Sequence, residues 1–263
     1  MYNIHNYDCI KGAQKYISDK SVDLMICDPP FGINETKFKN LYNRDDKVIK
    51  GYVEAPDNYY NFSCEWIKEA KRILKNNGSM YIISGWSNSD IIGRVVRELD
   101  LFLINKLIWN FPFGVYTKKK YVTSHYEIFY IKKTKKSKVT FNRECRFDNS
   151  KDIYKDLQSV WQINKEYHTG SIKNENKLPE ELIRKIIQYS SNKENIVCDF
   201  FLGNFTTAIV SKKLNRLPIG FELNSMSYKR GIDILQKIKI GSGLKLFYPT
   251  KQISQTEDIF EEI

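Results

Sequence analysis

Short apolar runs alternate along this chain with longer stretches in which apolar positions recur every three or four residues. The short runs "SVDLMICD", "SMYIISG", "FLINKLIWN", "SHYEIFYIKK", "NIVCD" and "PIGFELN" read as strands, each bounded by turn-forming residues. "SCEWIKEAKRILKNNG" reads as an amphipathic helix: Ser63 is placed to cap it, Trp66, Ile67, Ala70, Ile73 and Leu74 share one stripe, and Asn77-Gly78 ends it. A second helix is expected from about Ser89 to Leu99. A third lies in "LPEELIRKIIQYSS", where Pro179 suits the first turn and Leu182, Ile183, Ile186 and Ile187 form the apolar stripe. A fourth follows the loop in "NIVCDFFLGNFTTAIVSKKL". Strands alternating with helices imply an α/β domain built on a mostly parallel sheet.

Two stretches break the alternation. Residues 32–58 are polar and rich in Asn, Asp and Lys, the texture of a long loop. Between 111 and 173, "TKKKY" and "KKTKKSK" place eight lysines within 21 positions, interleaved with Tyr, Phe and Trp. That stretch reads as an insert with a basic face.

Charge sharpens this picture. The chain has 263 residues and a formal net charge of +11, which favours a polyanionic partner, nucleic acid foremost. A lysine-rich solvated surface is the alternative. The cysteines Cys9, Cys27, Cys64, Cys145 and Cys198 are scattered and histidines do not cluster, so neither a metal site nor a disulfide framework is expected. No signal peptide is recognised, and "LFLINKLIWNFPFGV" is broken by Asn105, Lys106, Asn110 and Pro112. A cytoplasmic protein without a membrane span is expected.

Candidate chemistry sits at the strand ends. "MICDPPF" stops an apolar strand at Asp28, followed by Pro29, Pro30 and Phe31. A proline pair cannot continue a ladder, so an acid in rigid backbone beside an aromatic ring suggests a grip on a flat, hydrogen-bonding ligand. "VCDFFLGNFTT" puts Asp199 at a strand end and Gly203 in the following loop, without the G-x-G-x-x-G spacing of a dinucleotide fold. One helix later, "GFELN" puts Glu222 at the next strand end, where a carboxylate commonly accepts ribose hydroxyls. Each acid could be a cap or a solvated strand end; as a pair they suggest a nucleoside-bearing cofactor.

Together, DPPF at Asp28–Phe31 and "DFFLGNFTT" at Asp199–Thr207 resemble the amino-directed DNA methyltransferases that use S-adenosylmethionine. The catalytic tetrapeptide precedes the cofactor loop, the order of that family's permuted β group. "NYDCIKGAQKYISDKSVDLMICDPPF", "EAKRILKNNGSMYIISG" and "IWNFPFG" are similar to the same group, so the likeness spans nearly the whole chain. Three departures stand out. Phe200 replaces the family's proline, Phe205 replaces its second loop glycine, and "NENKLP" keeps only Pro179 of the usual H-P-T-x-K-P.

The resemblance implies a Rossmann-like, mostly parallel sheet with helices on both faces and an inserted target-recognition region. Residues 1–110 would be a catalytic half, 111–173 the recognition insert and 174–263 a cofactor-binding half of one methyltransferase domain. It implies methyl transfer to the N6 amine of adenine in flipped-out duplex DNA, with Asp28, Pro29, Pro30 and Phe31 catalytic. Asp28 and the Pro29 carbonyl would accept the amine hydrogens and Phe31 would stack on the base. It carries cofactor contact to Asp8, Cys9, Asp28, Pro179, Asp199, Phe201, Gly203, Asn204, Phe205, Thr206, Glu222 and Asn224. Asp8 would accept the cofactor's adenine amine; for Cys9 ordinary packing is the other reading. Phosphate contact falls to Lys118, Lys119, Lys120, Lys132, Lys133, Lys135, Lys136 and Lys138. Trp161 and His168 read as structural. A cognate restriction endonuclease and a homodimer are the partners the family suggests. Open alternatives are methylation of the cytosine 4-amino group, an RNA or protein-glutamine methyltransferase, and a non-catalytic DNA-binding protein decayed from this fold.

Overall fold

The computed structural model describes residues 3–31, 55–56, 58–112, 114, 116, 118–146, 153–166 and 177–244. The long polar stretch 32–54, His168 and the end of the basic stretch lie outside these residues.

Eight strands form one sheet: β1 (Asn3–His5), β2 (Val22–Cys27), β3 (Leu74–Ser84), β4 (Phe102–Asn110), β5 (His125–Lys132), β6 (Val160–Gln162), β7 (Ile196–Asp199) and β8 (Leu217–Phe221). Their order across the sheet is β1-β8-β7-β2-β3-β5-β4-β6, and β5 alone runs antiparallel to its neighbours. The helices are α1 (Cys9–Tyr16), α2 (Tyr59–Ile73), α3 (Ser89–Glu98), α4 (Ile153–Leu157), α5 (Glu180–Ser190), α6 (Thr206–Lys213) and α7 (Ser225–Lys237). The expected architecture, a mostly parallel sheet with helices on both faces, is the observed one.

The two-residue repeat of a strand explains why β2 is apolar throughout. Met25 and Cys27 join a core with Ala13 of α1, Trp66, Ile67 and Ala70 of α2, and Ile92 and Val95 of α3. Leu24 and Ile26 point the other way, into a core with Leu182, Ile183, Ile186 and Ile187 of α5 and Val210 of α6. Each fully buried side chain of this kind contributes about 1.5–3 kcal/mol relative to exposure. The helical stripe seen in "LPEELIRKIIQYSS" is thus one wall of the second core.

Helix α2 differs from its sequence reading at both ends. Asn58, not Ser63, caps it by accepting from the Asn61 N–H at 3.0 Å, while Ser63 is fully buried inside the helix. The helix ends at Ile73, before Asn77-Gly78, because Leu74 already pairs with Val22 of β2. The register then shifts so that Ser79 opposes Leu24, and Asn77-Gly78 belongs to the irregular start of β3.

The stretch 111–173 contributes β5 and β6 to the main sheet. Helix α4 is tied to α5 by polar contacts: the Asp156 carboxylate accepts from Arg146 at 3.1 Å and from the Tyr189 hydroxyl at 2.5 Å, and Lys185 donates to the Asp156 carbonyl at 2.5 Å. Trp161 is buried and donates its indole N–H to the Gln158 carbonyl at 2.9 Å. Among the described residues no helix is long and apolar enough to cross a membrane.

Candidate active site

From β7 the chain winds outward through β8, whereas from β2 it winds the opposite way through β3, so the sheet order reverses between the adjacent strands β7 and β2. Ligands of open α/β sheets bind beyond the carboxyl ends of strands at such a point. Asp199 ends β7 and Asp28 follows β2 directly, so both acids stand at it.

Asp28 is half-buried, and its Oδ1 is shut off from solvent with no hydrogen-bond partner among the described residues. Desolvation first, and the charge of Asp199 second, push its pKa up to about 8, while Lys165 pulls it down. Phe31 is fixed from two sides: its carbonyl accepts from the Asn88 side-chain amide at 2.5 Å, and Gly85 lies against its ring. Tyr126 stands 5.3 Å from the Phe31 ring, Phe111 stands 5.3 Å from Tyr126, and the Lys165 ammonium lies 4.0 Å and 4.8 Å from the Phe111 and Tyr126 centroids. The aromatic ring of the tetrapeptide is therefore one tile of a wall that carries a cation.

On the β7 side, Asp199 accepts from the Phe201 N–H at 2.8 Å and from the Thr207 side chain. Burial nonetheless pushes its pKa up to about 7, with Glu222 adding to the rise. Glu222 braces the loop: it accepts from the Gly203 N–H and the Asn224 N–H, both at 2.7 Å. Burial raises its pKa against those bonds. A carboxylate has lone pairs for further donors, so this bracing leaves Glu222 able to receive hydroxyls. Asn224 also caps α7 through the Ser227 N–H at 2.9 Å. Thr206 Oγ1 is buried without a hydrogen-bond partner among the described residues.

The two phenylalanines that depart from the family loop turn inward. Phe200 is buried, its ring edge-on to Phe221 at 5.7 Å. Phe205 takes the left-handed conformation, φ 63° and ψ 17°, with a fully buried side chain. That conformation costs of order 1–3 kcal/mol for a residue other than glycine. The ring thus points away from the loop's outer face, where the lost glycine would have mattered.

Asp8 caps α1 by accepting from the Lys11 N–H at 2.9 Å, and Cys9 is buried behind it with its thiol pKa raised by burial. Asp8 and Cys9 follow β1, whose register with β8 pairs His5 with Phe221, so both stand at the carboxyl edge near Glu222. Pro179 caps α5. Glu166 joins that end to the aromatic wall, since it neighbours Lys165 and accepts from the Glu180 N–H at 2.8 Å.

The lysines divide. Lys118, Lys119 and Lys120 are exposed in the connection from β4 to β5, at the carboxyl edge with Asp28. Lys132 opposes Phe102 at the start of β4 and Ser79, where the pairing of β3 with β5 begins, so Lys132, Lys133, Lys135, Lys136 and Lys138 stand at the opposite edge. The reason is the direction of β5: an antiparallel strand carries its end away from the site. Lys133 is further engaged, donating to the Leu74 carbonyl at 2.6 Å. The structure does not bring these five lysines to the candidate site.

Lys165, Tyr126 and Asn88 carry no mark in the sequence pattern. None falls in a recognisable motif: pairing of β5 and β6 with β4 brings Tyr126 and Lys165 to Phe31, and Asn88 reaches it from the N-cap position of α3.

A family model described as DNA methylase matches residues 22–232. The chain is 32% identical over 245 residues to the type II methyltransferase M.HinfI of Haemophilus influenzae, covering 88% of this chain and 66% of that protein. It therefore spans about two thirds of that relative's length. Among solved structures, the M1.HpyAVI–SAM complex is similar with a TM-score of 0.65 and 22% identity, over 89% of this chain and 99% of that one. PvuII DNA methyltransferase, named cytosine-N4-specific, gives a TM-score of 0.65 and 17% identity over 89% of this chain and 91% of that one. Likeness at these identities carries the fold.

Proposed function

The chain belongs to the DNA methylase family, and from that premise we propose that it transfers a methyl group from S-adenosylmethionine to the N6 amine of adenine in double-stranded DNA. The observation that carries this reading is the place of Asp28: a buried, unsatisfied acceptor one strand away from Asp199, at the point where the sheet order reverses.

The residues fit the cofactor. Asp28 Oδ1 and Thr206 Oγ1 are buried polar atoms without hydrogen-bond partners among the described residues, and Glu222 stands ready for ribose hydroxyls. Two buried carboxyls with raised pKa values also favour a ligand that brings positive charge. Asp8, Cys9, Asp28, Pro179, Asp199, Phe201, Gly203, Asn204, Phe205, Thr206, Glu222 and Asn224 hold it, Asp8 at the adenine amine. Bound there, S-adenosylmethionine supplies an activated methyl group on a sulfonium.

The protein's work is then to prepare the acceptor amine, whose lone pair is delocalised into the base. The Asp28 carboxylate and the Pro29 carbonyl each accept one amine hydrogen, which turns the nitrogen towards tetrahedral geometry and localises the lone pair. Pro29 and Pro30 fix the angle. Phe31, backed by Tyr126 and Phe111, stacks on a base that has left the duplex, where its amine would be paired. Position and electrostatics supply the remaining acceleration.

Aspartate and phenylalanine in the tetrapeptide favour adenine, because the cytosine-directed form more often reads S-P-P-Y. We assign residues 1–110 to a catalytic half, 111–173 to target recognition and 174–263 to cofactor binding, with Lys118, Lys119 and Lys120 on phosphates. M.HinfI is named a type II methyltransferase, which supports a modification role; a cognate endonuclease, a cytoplasmic location and a homodimer belong to the same proposal. The test is Asp28→Ala assayed with labelled S-adenosylmethionine and duplex DNA. Transfer should vanish while calorimetry still registers cofactor binding; substantial turnover by the variant would remove Asp28 from the mechanism.

A further inference from the structure

We propose that Gly231 on α7 is a positioning residue for the cofactor loop, because its missing side chain makes the space in which the Phe205 ring locks that loop. A Cβ built on Gly231 would stand 2.2 Å from the Phe205 ring, so no larger residue fits beside it. The ring is fully buried, and its backbone holds φ 63°, the conformation a glycine would adopt unaided. The loop thus gets its geometry from a side chain packed behind it rather than from the freedom of a glycine.

Neighbouring residues of α7 act on neighbouring residues of the loop. Arg230 donates to Asn204 Oδ1 at 2.8 Å, next to the contact of Gly231 with Phe205. Tyr228 meets the Phe205 ring edge-on at 6.4 Å and ties α7 to β1 by donating to the Ile4 carbonyl at 3.2 Å. Within the loop, Phe205 donates its N–H to the Leu202 carbonyl at 2.7 Å, and its own carbonyl accepts from the Ile209 N–H at 2.9 Å to start α6. Gly203, Asn204 and Thr206 are the residues displaced if the ring moves. The inference rests on the reading that this loop holds S-adenosylmethionine.

Four proteins test it: the natural chain, Gly231→Ala, Phe205→Gly, and the double variant. Calorimetry with S-adenosylmethionine and steady-state kinetics are read together. Gly231→Ala should weaken cofactor binding about tenfold or more and raise KM for the cofactor, with kcat at saturation changed by less than about twofold, if overpacking strain falls on the loop. In the Phe205→Gly background the same substitution should change affinity by less than about twofold, since the ring it would meet is gone. Unchanged affinity in Gly231→Ala, with only a lower Tm, overturns the proposal. If Gly231→Ala does not fold, the double variant decides: affinity matching Phe205→Gly supports the pairing, and a further loss overturns it. Failure of the natural chain to bind S-adenosylmethionine overturns the cofactor reading first, and the positioning role with it.

Discussion

Asp199 ends β7, Asp28 follows the adjacent strand β2, and the charge of Asp199 helps to push the Asp28 pKa up to about 8. Two buried acids across one strand boundary are costly unless something positive comes between them. The geometry therefore shapes both the stability of the protein and the pH dependence of the proposed reaction.

Ionised, Asp28 is a stronger acceptor for an amine hydrogen than its protonated form. It faces Asp199 from β7 and Lys165 from the segment after β6, and Lys165 lowers its pKa. The kcat/KM for methyl transfer, which reports the free enzyme, should rise with pH through about 8. Lys165→Gln should move that rise to higher pH, and Lys165→Arg should leave it nearly in place. An unshifted profile in Lys165→Gln would contradict the role given to this lysine.

The same acids affect folding. In the folded protein Asp28 and Asp199 keep their protons up to about 8 and about 7, against 3.8 ordinarily. Between those limits the folded state binds more protons than the unfolded chain, so their effect is to lower stability as pH rises, levelling off above about 8. Asp199→Asn should accordingly gain Tm relative to the natural chain, ligand-free, as pH is raised from about 5 to about 8. A Tm difference that does not change with pH would refute this.

Most of the sheet is legible in the sequence because burial writes itself into composition. β4 matches "FLINKLIWN" at both ends, and the apolar runs of β2 and β7 follow from being covered on both faces. Helix α7 is not among the elements read from the sequence; of its residues only Gly231 and Leu235 are buried. The DPPF tetrapeptide, Asp199 and Glu222 are visible as motifs at strand ends. Lys165 and Tyr126 are not, because pairing of β5 and β6 with β4, rather than spacing in the chain, brings them to Phe31. The lysine clusters look alike in sequence, and only the antiparallel run of β5 separates them.

That separation makes a prediction about DNA. Replacing Lys118, Lys119 and Lys120 by Gln should flatten the log–log salt dependence of DNA affinity by about 0.9 for each phosphate no longer neutralised. Replacing Lys135, Lys136 and Lys138 should leave the slope unchanged. The opposite pattern would place the DNA at the other edge of the sheet.

Glu222 braces Gly203 and Asn224 and is assigned to the ribose. Glu222→Ala should weaken S-adenosylmethionine binding about tenfold or more, equivalent to about 1.4 kcal/mol. Calorimetry returning the natural affinity would remove Glu222 from the cofactor site.

The account stands most directly on the identity of the modified base. Nucleosides from the DNA of a methylation-free host expressing the natural chain, and from one expressing Asp28→Ala, can be separated and weighed by mass spectrometry. N6-methyladenine should be present in the first and absent from the second. N4-methylcytosine in the first would contradict the adenine assignment, and no methylated base in either would contradict methyl transfer itself.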